Sequence, residues 1–408
     1  MSQTQTTSDP LQEDASVPRS LQSQLNWLNF AKKSDLSGIC EYPFFSDAHI
    51  TGEQTDGFGP YTFLNTVPIP GNRGEVNSPI VLRVAFHSDK HQPRMSKTDD
   101  SLYHGGALVD EIAALASLAM GVRFRAGGET RLFDIGKDPL GRPCSWNDQP
   151  KPMVRVRRNG HILPEVIGTH SLNDLDLLKT IPHIAPDRYV NLIRASRFYQ
   201  DAIWVAESEP NLAWLMLVSA LEIGANDVVQ SEASAVQRLL DWKPELGTLL
   251  EGVGGNGHLK EVAEMIVHCF GATKKFLDFT LRHMPSEREG RPTEAWRRVD
   301  WSQPGMKKVL QKVYEYRSNA LHGGIPFPAP MLEPPFHLDS TSGPSEVPLT
   351  GLSTHALGGT WFPKDCPINL HCFHYVARGS LLTWWRNMSN DGVQRPETDS
   401  STRRDLDL

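Results

Sequence analysis

The sequence predicts an α+β protein in which an N-terminal mixed domain precedes an all-α helical bundle, and three observations carry that prediction. Before Thr169, short runs of alternating or β-branched residues are broken again and again by Pro and Gly. After it, apolar residues recur at helical spacing. The chain's 408 residues are enough for two domains, each with a core, and no internal repeat divides it otherwise.

Residues 1–20 are rich in Ser, Thr, Gln and Asp and are expected to form a disordered tail. A mixed α+β domain of sensing or regulatory character is expected over 21–175. Its strands fall at Tyr61–Leu64, Pro79–Phe86 and the alternating stretch from Met153, and its helix at Ala107–Met120. Val122–Arg125 and Thr130–Phe133, separated by Gly127-Gly128, read as a hairpin. The bundle is expected over 185–325. It starts with a helix capped by Asp187 and running to about Glu207. Asn211–Asn226 is apolar on nearly every face and reads as its central helix. Helices at Ser231–Trp242 and His258–His283 follow, the second breaking at Gly271, then one from Met306 to Leu321. Short connections between such helices describe an antiparallel bundle. Residues 326–408 form a Pro/Gly-rich segment, a last helix over Asn369–Asn387, and a polar tail from Asp391.

Composition narrows the function classes. The longest mainly apolar run, Leu212–Ala225, contains Glu222 and is too short to span a bilayer, and no signal segment opens the chain. A cytoplasmic protein without membrane contact is expected. Five scattered cysteines fit reduced thiols better than a disulfide framework. The net charge of −7 excludes a uniformly basic surface, yet Gly257–Gly323 holds twelve Lys and Arg against eight Asp and Glu, leaving −11 elsewhere. A polyanion would be bound locally, in the C-terminal half.

The feature that stands out is Arg317. On a helix from Met306, the residues Met306, Val309, Leu310, Val313, Ala320 and Leu321 form one apolar stripe with Arg317 in its middle, while Lys307, Lys308 and Lys312 turn toward water. A guanidinium there requires a carboxylate, a phosphate or a neighbouring subunit. Glu222, buried on the apolar helix, is the natural partner. His322 follows Arg317 by five residues, roughly 140° around at about 100° per residue. Gly323-Gly324 then supplies a stop that would let His322 depart from helical geometry. An Arg and a His at one helix end suit transphosphorylation of RNA without a metal. They equally suit a buried ion pair with a histidine cap, and spacing alone does not choose.

The sequence Tyr316-Arg317-Ser318-Asn319-Ala320-Leu321-His322-Gly323, with the Leu221-Glu222 pair on the upstream helix, resembles the signature of the HEPN superfamily and particularly its ApeA-like branch. The likeness covers residues 185–325, and an N-terminal mixed domain ahead of the bundle is similar to the ApeA-like arrangement. The resemblance implies an endoribonuclease that needs no metal or other cofactor and works as a homodimer or larger homo-oligomer. Two Arg and two His would face each other across the dimer, and cleavage would proceed by 2′-OH attack. Arg317 would stabilise the transition state and His322 would act as general base or acid. Glu222, Ser318 and Asn319 would support them, and Lys308 and Lys312 would contact RNA. Ser318 departs from the Asn, Asp or His that many members carry after the Arg. The family further implies prokaryotic anti-phage (abortive-infection) or toxin–antitoxin defence, with a phage-derived trigger or antitoxin as partner. The alternative is a non-catalytic HEPN dimerisation module, or one that binds a nucleotide or RNA.

Other motifs are weaker. Gly252-x-Gly254-x-x-Gly257 matches a phosphate loop by letter but lacks a preceding strand and reads as an interhelix loop. Cys366, His371, Cys372 and His374 match no zinc spacing and read as an ordinary packed helix. His87, His91 and His104 read as solvated loop histidines. Cys269 reads as a small buried residue. Lys151, Arg155, Arg157 and Arg158 read as a solvated basic run open to phosphates.

Overall fold

The computed structural model describes residues 19–67, 76–87, 98–134, 136–144, 151–155, 157, 160–227, 234–266, 271–338 and 342–393. Residues 1–18, His91, Arg158, Cys269 and the tail beyond 393 lie outside them.

The N-terminal part begins with a helix, α1 (Gln22–Ala31), that buries polar residues: Ser23, Gln24, Asn26 and Asn29 are all at most 5% exposed. Their amides answer carbonyls of other elements, as when Gln24 donates to Ile181 and Ile184. Then come β1 (Leu36–Ser46), β2 (His49–Thr51), β3 (Tyr61–Asn65) and β4 (Asn77–His87). Helix α2 (Leu108–Met120) precedes β5 (Arg125–Ala126), β6 (Arg131–Phe133), β7 (Arg142–Pro143) and β8 (Thr169–Ser171). The main sheet is antiparallel in the order β3-β4-β1-β6-β7, with β5 also on β1. The expected hairpin over 122–133 is therefore absent: β5 and β6 each pair with β1, at Phe44–Phe45 and at Ile39–Glu41, and not with each other. Among the described residues, the stretch from Met153 contributes no named strand.

Helix α2 is Ala-rich and buried almost all round, which lets the sheet and the helical layer approach it from both sides. It ends at Gly121, whose φ of 73° is left-handed and where an added Cβ would stand 2.8 Å from Nε of Arg378. That arginine donates to the carbonyls of Leu118 and Ala119, satisfying the helix end.

The chain then turns helical: α3 (Pro186–Val205), α4 (Pro210–Ala225), α5 (Ala235–Trp242), α6 (Pro244–Ile266), α7 (Ala272–His283), α8 (Gln303–Gly323) and α9 (Leu370–Val393). A hairpin of two three-residue strands, β9 (Thr354–Ala356) with β10 (Gly359–Trp361), lies between the last two. Ala185, not Asp187, is the N-cap of α3; Pro186 opens the first turn and Asp187 sits within it, where its charge suits the helix dipole. The Gly252–Gly257 stretch joins two helical segments of α6 as expected, but the break is confined to Gly255, whose φ of 68° and ψ of −172° lie outside helical geometry. Helix α9 extends past the expected Asn387 to Val393.

One hydrophobic core runs from Leu21 to Met388, joining the sheet, α2, α3, α4, α7, α8 and α9. The 3-10 segment Leu172–His183 inserts Leu172, Leu175, Leu178 and Ile181 into it. A small satellite core of Leu239, Leu259 and Ala263 joins α5 to α6. Arg123, fully buried, fastens the two layers: it donates to Asp47 at 2.7 Å, to Glu207 at 3.3 Å and to the carbonyl of Ile203 at 2.6 Å. Among the described residues no helix is long and apolar enough to cross a membrane, and Cys40, Cys144, Cys366 and Cys372 are free thiols.

Candidate active site

Helix α8 starts at Ser302, whose hydroxyl accepts from the Gly305 amide, and Pro304 lies in its first turn. Met306, Val309, Leu310, Val313 and Tyr314 fill the core. The stripe stops there. Ala320 is half-buried and Leu321 is 51% exposed, so the last turn of α8 projects beyond the core instead of completing the apolar face.

The helix also continues further than expected. Its left-handed cap is Gly324, whose amide, with that of Ile325, reaches back to the carbonyl of Asn319. His322 therefore stays in helical register, about 140° from Arg317, and the glycines do not swing it toward the arginine. His322 is exposed, Ser318 is half-buried and Asn319 exposed.

Arg317 meets Glu222 of α4, with Nη2 to Oε2 at 2.6 Å. The carboxylate is half-buried at the rim, not sunk in the core as its helix suggested; its side chain is 21% exposed and that of Arg317 19%. The other carboxylate oxygen accepts the hydroxyl of Tyr314 at 2.9 Å, and the guanidinium carbon lies 5.5 Å from the Tyr314 ring centroid. Burial, reinforced by the Glu222 charge, pushes the Tyr314 phenol up to about 12, so it remains a donor to Glu222. Nε of Arg317 is buried without a partner. Tyr314 escaped the sequence argument, although its place three residues before Arg317 puts the two on one helix face.

Neighbouring contacts fix this end of α8. Tyr316 donates to the carbonyl of Asp365 at 2.6 Å, and Trp214 of α4 stacks on Phe327 and Phe373 with centroids 5.0 and 4.8 Å away. Gly224 of α4 lies against Phe279 of α7, where a Cβ would stand 2.6 Å from the ring. Lys308 is exposed, whereas Lys312 pairs with Glu315 at 3.1 Å and lies 5.0 Å from the Tyr316 ring centroid.

Comparison of the chain with protein-family models, curated proteins and solved structures finds no match. The chemistry must come from the residues themselves: an arginine held by a carboxylate at a helix rim and an exposed imidazole on the same helix end, not converging within one chain.

The remaining candidates are spread over other parts of the fold. His104, expected in solvent, is buried with Nε2 2.9 Å from the fully buried Glu111, a carboxylate that demands donors. His87 ends β4, with Nδ1 2.9 Å from the Ser34 carbonyl. Arg157 lies 3.7 Å from Glu333, while Lys151 and Arg155 are exposed. His374 is buried between two partners that nothing in the sequence singles out. Its Nε2 lies 2.7 Å from the Tyr199 hydroxyl and its Nδ1 3.1 Å from Glu165. Burial pushes the imidazole down and the phenol up, so the tyrosine donates to Nε2 and Nδ1–H donates to the carboxylate. Among the described residues, no three His, Cys, Asp or Glu side chains group so as to hold a metal ion.

Proposed function

We propose that this protein is a metal-independent endoribonuclease of the HEPN type, active as a homodimer and serving prokaryotic anti-phage or toxin–antitoxin defence. The observation that carries the reading is Arg317, clamped at 2.6 Å by Glu222 on the rim of α8, one turn and a half before the exposed His322. On a helix regular through Gly323 the two point about 140° apart, so a phosphate touching both requires Arg317 of one chain and His322 of another. Two α8 ends packed about a two-fold axis supply that pairing. One imidazole takes the 2′-hydroxyl proton as the oxygen attacks phosphorus; the other protonates the departing 5′-oxygen, leaving a 2′,3′-cyclic phosphate. The guanidinium stabilises the charge that builds on the phosphoryl oxygens. The N-terminal layer senses the trigger or restrains the nuclease.

The test is RNA cleavage by the purified chain, with and without EDTA. Cleavage should survive the chelator, and R317A or H322A should each lower it by roughly a hundredfold or more while the fold persists. Equal cleavage by the R317A/H322A double variant and the parent would sink the assignment. Loss on EDTA would point to a metal-dependent hydrolase instead.

One observation favours a second reading, a non-catalytic HEPN dimerisation or binding module: Glu222 and the Tyr314 ring already satisfy much of Arg317 without any substrate. Stable partner, nucleotide or RNA binding with no cleavage under any trigger would select it.

A further inference from the structure

The amino end of α9 opens onto a small recess lined by Arg288, Gly290, Arg291, Pro344, His371 and Tyr375. It encloses about 280 Å³ of atom-free space, counting its mouth. Most of that space is the open mouth, so a tetrahedral anion would place one oxygen inside and the rest at the mouth.

Arg288, His371 and the first turn of α9 bring donors without acceptors to the recess. Arg288 is half-buried and makes no hydrogen bond or ion pair among the described residues, although its charge acts on His371, Cys372, Tyr375 and Glu165. His371 is 2% exposed, and neither ring nitrogen has a hydrogen-bond partner among the described residues; Nδ1 is sealed from solvent. With Nδ1 sealed as an unsatisfied acceptor, at a cost of about 1–3 kcal/mol, the single N–H of the neutral ring sits on Nε2, where it can donate to an occupant of the recess. The third donor set is the first turn of α9. Asn369 precedes it, but its side-chain amide donates to Ser345 and its Oδ1 is unpartnered, so it leaves the first-turn N–H groups uncapped.

The carboxylate that lines the recess is neutralised. Arg291 donates to both oxygens of Glu346 at 2.7 Å, to Glu287 and to the Val299 carbonyl, which neutralises the carboxylate that lines the recess. Glu165, the other carboxylate near His371, accepts from the neutral His374 and keeps its charge, a repulsion that the Arg288 guanidinium offsets.

We infer that this recess binds a single phosphate group, either inorganic phosphate or the terminal phosphate of a nucleotide. Arg288, His371 and the first-turn amides of α9 are the donors. Dipole and guanidinium both favour the anion, and the neutral imidazole adds a hydrogen bond at no cost in charge. The inference does not rest on the ribonuclease reading, since none of its residues belongs to the Arg317–His322 site.

Calorimetric titration of the full chain at constant ionic strength, using inorganic phosphate, AMP and adenosine, tests it. Saturable binding of phosphate and AMP but not adenosine is expected. Phosphate binding without AMP binding identifies the free anion as occupant, and tighter AMP binding identifies a nucleotide end. R288Q, at a side chain with no hydrogen bond or ion pair to lose among the described residues, should weaken binding roughly tenfold or more, with R288K intermediate and the exposed control R282Q unchanged. The His371 ring resonances should shift on saturation, and its titration should move upward because a nearby anion favours the imidazolium. Absence of saturable phosphate binding, equal binding by R288Q, or binding that leaves His371 unmoved would each overturn the inference.

Discussion

Removing the Glu222 carboxylate asks directly what holds Arg317. In E222A the guanidinium loses its acceptor at 2.6 Å and the Tyr314 hydroxyl loses its own at 2.9 Å. The paired side chains are 19% and 21% exposed. They stand between a surface bridge, about 0–1 kcal/mol, and a buried one, where stranding a partner costs about 3–5 kcal/mol. A loss of about 2 kcal/mol is expected for E222A. R317A strands the carboxylate but leaves it Tyr314 as a donor, so it should cost less, about 1 kcal/mol. The double variant removes both charges and should be less destabilised than the sum by about 1 kcal/mol. Urea denaturation followed by tryptophan fluorescence measures all three, provided the m-value stays constant. Strict additivity, within about 0.3 kcal/mol, would refute the claim that Glu222 holds the guanidinium.

Two further outcomes follow from the packing. Burial holds the His371 imidazole down to about 4, below its value in the unfolded chain, so the unfolded state binds the extra proton. Stability from this group is complete above about pH 6.5 and is lost as pH falls toward 4, a span of about 3 kcal/mol. A parent protein no more acid-sensitive than H371N over that window would contradict it. G224A places a methyl group 2.6 Å from the Phe279 ring; overpacking of about 1–3 kcal/mol should outweigh the roughly 1 kcal/mol helix-propensity gain. A denaturation midpoint equal to or above the parent's would show that α4 and α7 can separate freely.

The elements legible in the sequence are those whose burial is apolar and periodic. Helices α3, α4 and α8 and strands β3 and β4 lie close to where spacing predicts them. Helix α1 was hidden because the face it buries is Ser, Gln and Asn, satisfied by carbonyls far along the chain. Strand β1 carries Gly38, Glu41 and Pro43, which interrupt alternation, yet it is the strand that β4, β5 and β6 all pair with. The false hairpin has the same cause, since pairing with a third strand leaves no local mark. At the candidate site the Glu222–Arg317 contact was readable because both charges interrupt apolar helices. The depth of Glu222 was not, because the core ends between Tyr314 and Leu321 for reasons of tertiary packing. Glu165 lies 209 residues from His374 and bears no signal of any kind.

The arginine that closes α2 has a consequence for the order of assembly. Leu118 and Ala119 offer their carbonyls early in synthesis, but Arg378 comes 260 residues later, on the helix that also brings Trp384 and Trp385 into the core. A nascent chain carries the sheet, α2 and the Arg317–His322 helix long before it carries the piece that seals them together. Closure of the central core is thus deferred until α9 has left the ribosome.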